Sequence, residues 1–298
     1  MYMVSRTRTL KKVIRDWAPP GLIRLAQAGL DHVRPAPWEY SAQGWKKGVP
    51  VNGWSAPSIT EAQKQRWQAY AEAVKGSGSL TLNHEDPELN SGRLRDHNTL
   101  VSYAYVLALA AQQKCSLSVL DWGGGMGQYY LLSKALLQGV KIDYYCQDLP
   151  SLCQAGREVL PQVHFCEEAG ECFFRPYDLV LASSSLWYES DWRSLVDRLV
   201  NVANPYLFIT RMVFVGRVAS YVALQRPRAV GYKTEYLCWI LNRSEFVDYV
   251  SSGPMELVRE FLICRGPRIH GAPEQGDYCG FLFRKTATRE TRSGSQAF

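Results

Sequence analysis

The sequence predicts an α/β fold built on a parallel sheet, and three observations carry that reading. Short apolar runs alternate with helical segments across residues 96 to 252. A glycine-rich turn follows the first of those runs, and the last two runs are joined by a Gly/Pro-rich loop with no helix between them. Strand–helix alternation requires parallel neighbours, whereas a helix-free connection permits antiparallel pairing. The expected sheet therefore has seven strands, five parallel and two in a C-terminal antiparallel hairpin, preceded by a mainly helical extension.

Taken in order, residues 1–95 form that extension, expected to pack on the core. Leu10, Val13, Ile14 and Trp17 recur at helical spacing among Arg6, Arg8, Lys11, Lys12 and Arg15. Such a helix suits docking on the body of the protein, or peripheral contact with an anionic membrane surface. Pro19, Pro20, Pro35, Pro37, Pro50 and Pro57 break regular structure, and Trp38, Trp45, Trp54 and Trp67 are too much apolar surface for a plain linker. One helix is expected over 58–75.

Residues 96–285 make the main domain. Leu100, Tyr103, Ala104, Leu107, Ala108 and Ala111 mark a helix leading into the strand Leu117, Val119, Leu120. A helix over 128–138, a strand over 142–147, a helix over 150–160 and a strand over 163–166 follow. Then come a buried strand over 177–182, a helix over 192–202 and a strand over 206–210. Asn242 and Glu245 match a capping box for a helix over 241–252, which Gly253-Pro254 stops. Strands over 255–263 and 278–283 form the hairpin, and the polar tail 286–298 is expected to be disordered.

Composition narrows the class. With 46% hydrophobic residues and 12% aromatics over 298 residues, the chain can bury an ordinary core. No apolar stretch is long and uninterrupted enough for a membrane span, and no secretory signal is evident, so a cytoplasmic protein is expected, with the inner face of the membrane as the site for the basic N-terminal helix. The formal charge of +6 is concentrated at the two ends. No basic helix with interleaved aromatics occupies the middle, so nucleic-acid binding is not expected. Eight cysteines and five histidines are scattered without Cys-x-x-Cys or finger-like spacing, so free thiols and no metal are expected.

Chemistry centres on residues 116–127, Ser-Leu-Ser-Val-Leu-Asp-Trp-Gly-Gly-Gly-Met-Gly. A phosphate-binding P-loop needs a lysine directly after its glycines, and none occurs before Lys134. A dinucleotide fingerprint needs Gly-x-Gly-x-x-Gly, but its third glycine falls on Gln128 or Tyr130. What stands is Asp-x-Gly-x-Gly-x-Gly, Asp121, Gly123, Gly125 and Gly127, with Trp122 and Gly124 at the variable positions. This resembles motif I of the Rossmann-like (class I) S-adenosylmethionine-dependent methyltransferases. That cofactor is a cation without phosphate, so it calls for acids and open backbone. A second acid, to accept from the ribose diol, belongs roughly 20 residues past the glycines, and Asp148 is there. The competing reading makes the glycines a plain turn and Asp148 a helix N-terminal acid beside Pro150.

Beyond motif I, Asn52-Gly53-Trp54, Gln147-Asp148-Leu149, the run Tyr177 to Tyr188 and the Arg211 segment resemble an uncharacterised methyltransferase family often encoded among bacterial surface-polysaccharide genes. The resemblance implies a sugar hydroxyl or other glycan as methyl acceptor, with a small-molecule O- or N-methyltransferase as the alternative. Two other classes compete: a nicotinamide-dependent oxidoreductase, and a non-catalytic scaffold at a membrane surface.

Ligands of open α/β sheets bind beyond the carboxyl ends of the strands. That rule puts Asp121, Gly123, Gly125, Gly127, Asp148, Leu149, Glu167 (with its neighbour Glu168) and Ser183 at the cofactor. Ser184, Trp187, Tyr188 and Arg211 fall at the acceptor, and His97, Glu189 and Asp191 are candidates for a base. Residues 211–240 are expected to be an insertion serving as a lid, with Arg211, Arg217, Arg226 and Arg228 suited to an anionic acceptor.

Overall fold

Continuous burial from Val119 to Trp122 explains why the central strand needs cover on both sides. In the computed structural model, which describes residues 35–45, 53–89 and 92–286, Leu117 and Val119 pack into one apolar cluster while Leu120 and Trp122 pack into another. A strand buried on both faces belongs inside a parallel sheet with helices on each side. All that follows concerns the unit that begins at Trp38.

The strands are β1 (Trp38–Tyr40), β2 (Ser116–Trp122), β3 (Lys141–Gln147), β4 (His164–Cys166), β5 (Tyr177–Ser183), β6 (Ala203–Val215), β7 (Tyr221–Gln225), β8 (Tyr236–Asn242), β9 (Met255–Arg265) and β10 (Asp277–Lys285). The helices are α1 (Pro57–Lys75), α2 (Leu94–Ala111), α3 (Gln128–Leu136), α4 (Pro150–Val159), α5 (Trp192–Val202) and α6 (Arg243–Ser251). Strands β4, β3, β2, β5 and β6 lie side by side in that order, all parallel. Next, β10 pairs antiparallel with β6, and β9 antiparallel with β10. This is the seven-stranded Rossmann-like methyltransferase sheet that the sequence implied.

The helices obey their sequence signals. Pro57 opens α1, Asp191 caps α5 by accepting from Ser194 N at 3.1 Å, and Asn242 caps α6 by accepting from Glu245 N at 3.1 Å. Helix α1 is fastened to the sheet-covering helices by Lys64–Glu158 (2.8 Å), Thr60–Ser151 (3.1 Å) and Gln128–Gln63 (3.1 Å).

The region after Thr210 departs from expectation. Instead of ending there, β6 runs on to Val215, where Phe214 and Val215 pair with Leu241 and Asn242 of β8. Strand β8 pairs antiparallel with β7, and β7 with β1. Residues expected to form a lid thus extend the same sheet by β8, β7 and β1, the last drawn from the N-terminal region, to ten strands among the described residues. A short amphipathic strand and a continuous apolar one flanking a polar loop carry little periodic signal, which is why they were not foreseen.

All eight cysteines are free. No helix among the described residues is long and apolar enough to cross a membrane. The basic segment around Leu10 to Trp17 and the tail beyond Thr286 lie outside the described residues.

Candidate functional site

The glycine turn is held by the backbone at the end of β3. Gly123 N and Gly124 N both donate to Gln147 O, at 2.9 and 3.2 Å, so the turn hangs from the end of β3. Gly123 adopts φ +71° and a Cβ there would overlap Ser185. Gly124 has no unusual φ, yet its Cβ would overlap Asp121 Oδ2 and sit 2.7 Å from Cys146 Sγ. The position that the motif leaves variable is thus restricted to glycine in this chain by space.

Two carboxylates flank the turn. Asp148 Oδ2 accepts from Gly125 N and Oδ1 from Leu149 N, both at 2.7 Å. Burial pushes its carboxyl up to about 6, against the pull of those two amides. Asp121 is 1% exposed. Its Oδ2 accepts from Tyr144 OH at 2.8 Å, while Oδ1 has no partner. Burial pushes it up to about 7, the Tyr144 bond opposes this, and Asp148 adds to it. Each group therefore holds a proton more readily folded than unfolded, so stability falls as pH rises from about 4 through 7. Asp121→Asn is expected to flatten that slope in thermal melts between pH 5 and 8, and an unchanged slope would contradict the assignment.

Facing the turn is a cavity lined by Gly123, Gly124, Gly125, Asp148 and Leu152 on one side. Trp54, Gln63, His84, Glu85, Tyr129, Ser183, Ser184 and Arg211 complete it. Tyr129 OH and Ser183 Oγ share a 2.8 Å hydrogen bond. Ser184, just past the end of β5, and Arg211, within the adjacent β6, both adopt φ +59°, rare for residues with side chains. Ser184 N donates to Thr210 O at 2.9 Å. Arg211 Nη2 donates to Glu85 Oε2 at 2.7 Å, and Arg66 Nη1 to Glu85 O at 2.7 Å, which pins the 76–89 segment over the cavity. Burial alone would raise the Glu85 carboxyl, but Arg211 reverses this and holds it below its ordinary range. His84 is pushed down to about 4 by burial, partly offset by Glu85, so its imidazole is neutral near pH 7.

The cavity brings together six residues picked from the sequence, Gly123, Gly125, Asp148, Ser183, Ser184 and Arg211. The others lie elsewhere. Asp121 is beneath the turn and Gly127 caps α3. Leu149 contributes its amide to Asp148, and Glu167 is ion-paired with Arg157 on the surface. Trp187 is fully buried with Nε1 donating to Ser184 O, and Tyr188 OH donates to Gln225 Oε1 at 2.8 Å. His97 sits on α2 and Asp191 caps α5, while Glu189 follows a short helical turn with its carboxyl raised by burial. Arg217, Arg226 and Arg228 face Glu274, Glu39 and Glu235, so carboxylates of the protein already neutralise the arginine set. Among the described residues no cluster of His, Cys, Asp and Glu is arranged to hold a metal ion.

Trp54, Gln63, His84, Glu85, Tyr129 and Leu152 are the lining residues that sequence reasoning did not pick. No spacing signal ties His84-Glu85 to the glycine turn, because the fold alone closes that distance.

The sequence matches no protein-family model and no curated protein. Solved structures do share the fold. Magnesium protoporphyrin IX methyltransferase from Synechocystis, with bound SAM, is 14% identical over 76% of this chain and 95% of its own, with a TM-score of 0.45. The 1,6-didemethyltoxoflavin-N1-methyltransferase of Burkholderia thailandensis, bound to 1,6-didemethyltoxoflavin and S-adenosylhomocysteine, is 13% identical over 85% and 100%, with a TM-score of 0.48. Mitomycin 7-O-methyltransferase is 17% identical over 78% and 69%, with a TM-score of 0.41. At these values the fold assignment rests on the strand order and register described above.

Proposed function

We propose that the chain is an S-adenosylmethionine-dependent methyltransferase that methylates a hydroxyl of a sugar or glycan precursor. One observation carries the donor assignment. Asp148 stands at the end of β3 with each oxygen bound by a single backbone N–H, beside a glycine turn whose wall has no room for a side chain. A carboxylate oxygen accepts more than one hydrogen bond, so Asp148 retains capacity for a ribose diol. The unpartnered Asp121 Oδ1 lies directly beneath the turn, and because burial pushes that carboxyl up to about 7, a cationic ligand would draw it to the ionised form and a phosphate would oppose that form.

When bound, S-adenosylmethionine supplies a methyl group activated by its sulfonium sulfur. The chain's residues do the rest: the turn and Asp148 orient the donor, and α1 with the 76–89 segment excludes water. Transfer is an in-line displacement, so alignment and desolvation supply most of the acceleration. The neutral imidazole of His84 lines the same cavity and can take the acceptor hydroxyl's proton at a ring nitrogen as the new bond forms. The sugar as acceptor rests on the sequence resemblance, to which the cavity adds hydroxyl partners in Tyr129, Ser183 and Ser184.

Titration calorimetry tests the donor. The protein is expected to bind S-adenosylhomocysteine and not NAD; the opposite result would install the oxidoreductase reading. Asp148→Ala is expected to weaken S-adenosylhomocysteine by about 1.5–3 kcal/mol, roughly 10- to 150-fold, while the chain stays folded. An unchanged dissociation constant would sink the ribose assignment. Because the ionised carboxyl is the binding form, wild-type affinity is expected to fall as pH drops through about 6.

A further inference from the structure

The donor cavity does not end at Arg211. A second cavity abuts it, sharing His84, Tyr129 and Arg211 in its wall and adding Asn83, Asp96 and Thr99. That one in turn abuts a third, sharing Leu82, Leu100 and Leu132. The third is a groove between the end of α1, the middle of α2 and the end of α3, lined by Ala73, Val74, Leu80, Ala104, Ala135 and Leu136 among others. Its rim residues Leu80 and Leu136 are 48% and 47% exposed.

Polarity therefore changes in order along this path, from the acid-flanked turn, through a neck of hydrogen-bonding side chains, to an apolar mouth open to solvent. The neck and the groove both run along α3, whose residues 129 to 136 span about 10 Å at 1.5 Å per residue. A polar acceptor with no tail would leave the groove unused, and a wholly apolar one would place hydrocarbon against the neck's polar side chains, which bond one another as Asn83 Nδ2 does to Asp96 Oδ1 at 3.1 Å.

We propose that the acceptor is an amphiphile, whose hydroxyl-bearing head occupies the neck beside His84 and whose aliphatic tail lies in the groove between α1, α2 and α3. This deepens the methyltransferase reading and rests on it. The occupant is fixed by continuity: the groove adjoins the reaction cavity through shared side chains, and a hydrocarbon is the chemistry that its walls match. Burial of a methylene contributes about 0.8 kcal/mol, so each one that enters the groove should tighten binding about 4-fold.

The probes are methyl, butyl, hexyl and octyl β-D-glucosides, kept below their aggregation concentrations and titrated into full-length protein saturated with S-adenosylhomocysteine. The expected result is a dissociation constant that falls steeply with chain length. Ala135→Trp, at an exposed position on α3, should fill the groove and flatten the series while the S-adenosylhomocysteine dissociation constant is unchanged; Leu80→Asn should flatten it partially. A flat series in the unaltered protein overturns the proposal, whether the groove is then covered by the chain's own N-terminal segment or by a second copy. So does a steep series that survives Ala135→Trp, which would mean adsorption elsewhere. Failure of the unaltered protein to bind S-adenosylhomocysteine would instead sink the methyltransferase reading, so the two failures are distinguishable.

Discussion

Replacing Gly124 by alanine is expected to weaken S-adenosylhomocysteine binding by at least 100-fold and to lower the melting temperature by several degrees. The cause is space, since Gly124 does not adopt a backbone conformation reserved for glycine. An added methyl would overlap Asp121 Oδ2, lie 2.5 Å from Asp121 Cγ and 2.7 Å from Cys146 Sγ. Neither neighbour can yield easily. Asp121 is anchored by Tyr144 OH, and Cys146 is fully buried in β3, in register beside Asp121. Overpacking of this kind costs about 1–3 kcal/mol, which for a domain of this size corresponds to roughly 2–4 °C per kcal/mol. Affinity suffers more than stability. The strain is relieved by lifting the turn off Gln147 O, and lifting it withdraws the Gly125 amide from Asp148. Gly170→Ala is the control, because nothing lies within 4 Å of a Cβ at that position and little change is expected. A Gly124→Ala protein that binds S-adenosylhomocysteine normally would mean that the turn does not form the donor's wall.

The same residue shows where sequence reading stops. A pattern in which Gly123, Gly125 and Gly127 are fixed treats Gly124 as free, because a pattern records positions and has no account of what packs beneath them. The seven-stranded sheet was legible because each of its strands is flanked by helices of clear periodicity or by strong breakers, as Asn242 and Gly253-Pro254 delimit α6. Strands β1, β7 and β8 were not. Trp38–Tyr40 is three residues long, and Tyr236–Asn242 is a continuous apolar run that abuts a helix, so periodicity cannot assign it. Asp148 was legible because it lies one strand beyond the turn in both sequence and space. His84 and Glu85 belong to the same cavity but are delivered by a breaker-rich segment whose position depends on Arg66 and Arg211, the latter 126 residues away. Long-range ion pairs leave no local trace, so the sequence alone offers His97, Glu189 and Asp191 as the base instead.

Arg211→Met is expected to be the most destabilising substitution in the cavity, costing about 3–5 kcal/mol. Both members of the pair are largely withdrawn from water, with side-chain exposures of 12% for Arg211 and 22% for Glu85. Removing the guanidinium leaves the Glu85 carboxylate with no countercharge in direct contact, while Arg66 still holds its backbone oxygen in place, so the segment cannot swing out to solvent without breaking a second bond. Arg211→Met combined with Glu85→Gln should lose less than Arg211→Met alone, because the stranded charge is gone; strictly additive losses would show that the pair is not coupled. The pH dependence supplies a further check. Glu85 in the wild type titrates below its ordinary value, so the stability that it contributes is present above about pH 4.5 and is lost as pH falls through its folded value. In Arg211→Met, burial is opposed only by the more distant His84 and Arg95 and raises the Glu85 carboxyl, so that variant gains stability as it protonates on acidification. The two melting curves are therefore expected to be furthest apart near neutrality and to converge below about pH 5. A separation that stays constant across that range would mean that Arg211 stabilises the protein by packing its aliphatic stem, and that its charge contributes nothing.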